Sequence, residues 1–94
     1  MTDMEMAKYI LDIFRTQPMI VFSWGFHDAH PIHDGLRFSV SGYLHQGKVE
    51  VVYCEGADLF VVNTLNPDGS IKRQVDGVYL DCLVRVIDEM VETV

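Results

Sequence analysis

The spacing of hydrophobic residues changes along the chain, and each change predicts an element. Met6, Ile10, Ile13 and Phe14 recur at three- and four-residue intervals, which gives one apolar face to a helix over residues 3–16. Thr2 and Glu5 have the spacing of a capping box, in which each side chain satisfies the other's free amide. Asp3 and Glu5 suit the positive end of the helix dipole and Arg15 the negative end. Pro18 disfavours helical geometry at Gln17 and stops the helix. Residues 19–24 form a short apolar run between Pro18 and Gly25, which predicts a buried strand. Residues 25–35 contain Pro31 and two glycines and read as a loop.

Period-two alternation follows. Leu36, Phe38, Val40, Gly42 and Leu44 alternate with Arg37, Ser39, Ser41, Tyr43 and His45, as in a half-buried antiparallel strand over residues 36–45. Gln46-Gly47 fits a two-residue turn, pairing Leu44 with Val49, Gly42 with Val51 and Val40 with Tyr53. A fourth strand covers residues 59–65, reached through Glu55-Gly56-Ala57-Asp58. Asn66-Pro67-Asp68-Gly69 is a turn signal, and residues 70–74 can form a short fifth strand whose Lys72 and Arg73 suit an exposed edge. Asp76 reads as the N-cap of a final helix over residues 77–92. Leu80, Leu83, Val84, Ile87 and Val91 form its core stripe. Tyr79, Cys82, Val86 and Met90 form a second apolar stripe beside it.

The order helix, four or five strands, helix implies an α+β fold of two layers. An antiparallel meander would carry the N-terminal and C-terminal helices on one face, since both helices need an apolar surface to cover. Ninety-four residues make a single domain, 1–94. A hydrophobic fraction of 49% against 22% charged is that of a globular chain and argues against disorder.

Charge narrows the partners. Fourteen acidic residues against seven basic give a net charge of −7, which disfavours direct nucleic-acid binding and anionic membrane surfaces. A basic protein partner or a cation fits better. No apolar run approaches the roughly 20 residues that span a bilayer. The start, Met1-Thr2-Asp3-Met4-Glu5, lacks the basic-then-apolar pattern of a signal peptide. Cys54 and Cys82 are too few for a disulfide framework and read as buried free thiols. The expected compartment is a cytoplasm.

The segment His27-Asp28-Ala29-His30-Pro31-Ile32-His33-Asp34 concentrates nitrogen and oxygen donors. His27, His30 and His33 are therefore candidate ligands for zinc or another divalent metal, although three-residue spacing fits neither one helix face nor one strand face. The alternative is a polar loop with exposed histidines. No nucleophile turn, phosphate-cradling loop or cysteine pair at zinc spacing is present, so a non-enzymatic role is expected. Arg37 and Tyr43, with His45, would project from the solvent face of the long strand as an interaction surface. Tyr79, Val86 and Met90 on the last helix either pack against the first helix or meet another chain, which would make a homodimer. Asp76, Asp81, Asp88, Glu89 and Glu92 on that helix raise imitation of a phosphate backbone against a solvated helix face.

Ser23-Trp24-Gly25, Gly35-Leu36-Arg37-Phe38, Gly47-Lys48-Val49-Glu50-Val51, Gly56-Ala57-Asp58-Leu59-Phe60 and Gly77-Val78-Tyr79 together give the chain a further likeness. It resembles small uncharacterised proteins of gut bacteria and their mobile elements, a domain-of-unknown-function type of family. The resemblance implies a bacterial cytoplasmic accessory protein and no particular activity, cofactor or site. The expected function is a binding or regulatory module working through protein–protein contacts, as a homodimer or with another partner. The alternative is a metal- or small-ligand-binding domain built on residues 27–34.

Overall fold

The computed structural model describes residues 2–92. Helix α1 spans Asp3–Phe14 and helix α2 Pro18–Ser23. Strands β1 (His27–Ile32), β2 (Gly35–Ser41), β3 (Gln46–Cys54), β4 (Leu59–Leu65) and β5 (Ile71–Val78) follow. A single 3₁₀ turn, Leu80–Cys82, leads into helix α3, Leu83–Val91. The five strands form one sheet in chain order, every neighbour antiparallel. The α+β meander with terminal helices is therefore present, with five strands rather than four.

One face of the sheet makes the core. Leu36, Phe38 and Val40 of β2, Val49 and Val51 of β3, and Phe60 and Val62 of β4 pack with Met6, Ile10 and Phe14 of α1 and Leu83, Val84, Ile87 and Val91 of α3. The period-two positions of the strands thus meet the helical stripes that the sequence predicts. The capping box forms: the Glu5 amide donates to Thr2 Oγ1 at 3.1 Å and the Thr2 amide to Glu5 Oε1 at 3.2 Å. The opposite face carries a polar row across all five strands, His30, Arg37, Glu50, Asn63 and Gln74. Arg37 pairs with Glu50, and Gln74 Nε2 donates to Asn63 Oδ1 at 2.8 Å.

Four local expectations are corrected. Residues 19–24 are not a strand: 19–23 lie within α2 and Trp24 follows it as the C-cap, with Pro18 at a position where its fixed φ starts a helix and its missing amide costs nothing. None of the residues of α2 is buried. The apolar run is anchored instead by Trp24, whose side chain is wholly enclosed. It sits among Phe14 and Phe38, with ring centroids 5.7 and 6.4 Å away, and its indole N–H donates to Asp88 Oδ1 at 2.9 Å.

Residues 25–35 are not a loop, because β1 pairs with β2 along their middle. Pro31 is tolerated since β1 is an edge strand. A register shift between His27 and His30, with Asp28 at a φ of 59°, bends that edge.

The β2–β3 register also differs: Val40 faces Gly47, Phe38 faces Val49 and Leu36 faces Val51. The connection is residues 42–45 rather than Gln46-Gly47. The end of α3 explains the longer turn. Val91 O accepts the Leu44 amide at 2.7 Å, and the chain passes so close at Gly42 that a Cβ there would lie 2.2 Å from Val91 Cγ1. The shift is by an even number of residues, so the same side chains still face the core.

Last, Asp76 caps no helix. Asp76 and Gly77 belong to β5, at an irregularity where Gly77 adopts a φ of 63°. The helix proper begins only at Leu83.

Candidate functional site

A meander places alternate turns at the same end of its sheet. The β1–β2 turn, with Asp34, and the β3–β4 turn, with Glu55-Gly56-Ala57-Asp58, fall together, and the end of β5 delivers Tyr79, Leu80 and Asp81 beside them. Asp34 and Asp58 both take left-handed backbone, φ 54° and 55°, which aspartate enters more readily than most residues. The Tyr53 amide donates to the Asp34 carbonyl at 2.8 Å, tying the end of β3 to the first turn. Met6 and Tyr9 of α1 close the remaining side.

These residues enclose a cleft of about 870 Å³. Buried Met6 and Phe60 give it an apolar base, with Ala57, Leu59 and Leu80 adding apolar surface. Tyr9, Tyr53 and Tyr79 bring three phenols, and Asp34, Glu55, Asp58 and Asp81 bring four carboxylates. Among the described lining residues there is no Lys, Arg or His. Tyr53 donates its hydroxyl to Asp58. That hydrogen bond holds the phenol above its ordinary pKa. Loss of hydration and the charges of Asp58 and Glu55 push the same way. At neutral pH Tyr53 therefore keeps its proton and donates it to this hydrogen bond. The cleft brings aromatic side chains beside carboxylates, a composition whose chemistry suits organic cations.

The histidines of residues 27–34 separate. His27 and His30 lie on β1 opposite Ser39 and Arg37, and His27 Nδ1 contacts the Gly25 carbonyl at 2.6 Å. His33 sits in the β1–β2 turn beside α1, with Nδ1 3.4 Å from Asp3 Oδ1 and Nε2 3.3 Å from Asp34 Oδ2. Asp3 Oδ1 also accepts the Asp34 amide at 3.0 Å. Among the described residues, Asp3, His33 and Asp34 are the group of three potential metal ligands whose donor atoms all lie within 4.8 Å. The structure thus joins His33 to two aspartates rather than to His27 and His30.

The proposed interaction residues are dispersed too. Met90 is buried and Val86, partly buried, packs against the core, so these two positions of the second stripe are covered within the chain. Tyr79 is exposed and belongs to the cleft, not to a helix. Arg37 is engaged with Glu50 on the outer sheet face. Tyr43 is exposed in the β2–β3 turn at the far end. His45 does not project to solvent. It is buried, with Nε2 2.9 Å from the Lys48 carbonyl and Nδ1 3.4 Å from Lys72 Nζ. Cys54 and Cys82 are free thiols, half-buried rather than fully enclosed.

The cleft itself escapes a reading of local sequence: Tyr9 and Tyr53 sit in no motif, Glu55, Asp58 and Asp81 stand out only as a turn and a helix face, and four separate segments contribute to the lining. The usable signal was topological: in any meander, the first and third turns share an end. No helix among the described residues is long and apolar enough to cross a membrane. No protein-family model, curated protein or solved structure matches the chain.

Proposed function

We propose that this chain is a small non-enzymatic binding module that works through protein contacts, and that its cleft receives a cationic segment of a partner. The lining carries the reading: four carboxylates and three phenols around an apolar base, with no basic side chain among the described lining residues. A single exposed ion pair contributes only about 0–1 kcal/mol, and an exposed cation–π contact about 0.5–1 kcal/mol. One basic side chain is therefore a weak ligand, and a segment carrying several is the ligand that gains. The net charge of −7 draws such a segment in and repels polyanions. Two free cysteines fit a reducing compartment, and with the family resemblance they support a bacterial cytoplasm as its setting.

The test is fluorescence anisotropy with a labelled Arg/Lys hexapeptide against a Glu hexapeptide of equal length. The basic peptide binds, weakens as salt is raised, and loses affinity about tenfold or more in the Asp58→Lys/Asp81→Lys variant. Equal binding of the two peptides would remove the reading.

A second reading has one observation behind it, the grouping of Asp3, His33 and Asp34. One imidazole and two carboxylates suit a divalent cation such as zinc or manganese. Bound there, the ion would pin the start of α1 to the β1–β2 turn and raise the melting temperature. His33→Ala, a substitution outside the cleft lining, abolishes that rise if the ion sits there. A wild-type melting temperature unmoved by either metal excludes it.

A further inference from the structure

The carboxylates and phenols of the cleft differ in what they already hold. Asp58 accepts the Tyr53 hydroxyl, and Asp34 Oδ2 lies 3.3 Å from His33 Nε2. The side chains of Glu55 and Asp81 are exposed, and neither has a hydrogen-bond or ion-pair partner among the described residues. The same holds for the hydroxyls of Tyr9 and Tyr79. Tyr9 is 38% and Tyr79 64% exposed, so each ring keeps uncovered surface. The Tyr53 ring instead leans on buried Phe60, with centroids 5.5 Å apart. A ligand therefore meets open acceptors and open aromatic surface together, over an apolar base.

We infer that the side chain this cleft selects from a basic segment is arginine, in preference to lysine or a methylated lysine. The selection rests on the cleft being a site for a cationic segment, as proposed above. Arginine, lysine and trimethyl-lysine carry the same charge, so the long-range pull of a chain at −7 is the same for each. What differs is the fit to the lining. A guanidinium is planar and weakly hydrated, its fork of N–H donors matches a carboxylate, and its plane stacks on an aromatic ring. It serves Glu55 or Asp81 and Tyr9 or Tyr79 at once. The lysine ammonium is a compact, strongly hydrated charge with no plane to stack, and it loses that water over an apolar base. A trimethylammonium suits the rings but has no N–H, so it leaves the carboxylates of Glu55 and Asp81 without a donor.

The experiment is isothermal titration calorimetry of the whole chain with hexapeptides of arginine, lysine and trimethyl-lysine at one salt concentration. The expected order has arginine at least about fivefold tighter than either of the others. In Tyr9→Leu/Tyr79→Leu the arginine advantage falls to about twofold or less, and Tyr9→Phe/Tyr79→Phe, which keeps both rings, restores it. Equal affinity for arginine and lysine overturns the inference and leaves the cleft a site for cations in general. Tightest binding of trimethyl-lysine overturns it in favour of the rings alone. An arginine advantage that survives the leucine substitutions also overturns it, because stacking on Tyr9 and Tyr79 is then not its source. A chain that binds none of the three peptides contradicts the proposed function itself, and arginine selection falls with it. If the leucine variant fails to fold, the order of the three peptides on the wild type still decides.

Discussion

At one end of the sheet, four carboxylates and three phenols surround an open cleft held together by two turns. At the other, Trp24, Phe14, Phe26 and Phe38 form a closed aromatic cluster, and the turn between β2 and β3 is clamped to the last carbonyl of α3. Both ends are made of the same strands, yet one concentrates polar groups at the surface and the other concentrates packing. On the function proposed above, the difference divides the molecule: substitutions at the aromatic end are expected to act on stability, and substitutions at the cleft on binding. The helices support the division, since α1 begins at the cleft end, where acids suit a helix N-terminus, and α3 ends at the clamp.

The largest expected effect is at Trp24. Its side chain is fully enclosed, so Trp24→Ala is expected to cost about 3–5 kcal/mol in urea unfolding and to release α2 with it. A loss under about 1 kcal/mol would mean that the aromatic cluster does not hold this end. Next is Gly42→Ala, whose Cβ meets Val91 Cγ1 and the Val91 carbonyl. Thermal unfolding should reveal a loss of about 1–3 kcal/mol, since the added methyl forces apart a turn and a helix end that the Leu44–Val91 hydrogen bond ties together.

His45, also at this end, gives an effect confined in pH. Nε2 faces the Lys48 carbonyl and must carry the proton, which leaves bare Nδ1 facing the Lys72 ammonium. Burial, opposed by the Lys48 carbonyl and assisted by the Lys72 charge, lowers the pKa of His45 from 6.5. Between the folded and unfolded values the unfolded chain binds more protons. The contribution of His45 is therefore complete above pH 6.5 and declines as pH falls toward the lower folded value. His45→Gln should flatten the stability profile across that acid window. An unchanged slope would contradict the buried neutral imidazole.

The smallest stability effect belongs to the cleft. Asp58→Asn should leave unfolding within about 0.5 kcal/mol of the wild type, because the carboxylate is exposed. The same substitution should bring the Tyr53 phenol titration, followed by ultraviolet absorbance, back toward its ordinary range by removing the carboxylate that raises it. A large loss of stability would erase the contrast between the two ends.

How far these features can be read from sequence follows the range of the forces involved. The α1 cap, the alternation of β2 and the stripe of α3 depend on neighbours within a few residues, and they are legible. Residues 19–24 are ambiguous because a short, mostly apolar run suits a buried strand or a short helix equally. Only Pro18 at the helix start favours the helix. The length of the β2–β3 turn depends on Val91, almost fifty residues on, so no local pattern carries it. The candidate site was the least legible part. Tyr79 drew attention for a helical stripe it does not join, and His33 for histidine partners it does not meet. Asp34 and Asp58 come together only once the order of the strands is known.

The central claim is that the acidic cleft receives a cationic segment. Nitrogen-15 heteronuclear correlation spectra recorded during titration with the Arg/Lys hexapeptide test it most directly. The account predicts shifts concentrated at Tyr9, Asp34, Tyr53, Asp58 and Tyr79 that shrink as salt is added, with α2 unmoved. Shifts centred on Met19 and Phe22, or spread evenly over the acidic surface, would contradict it.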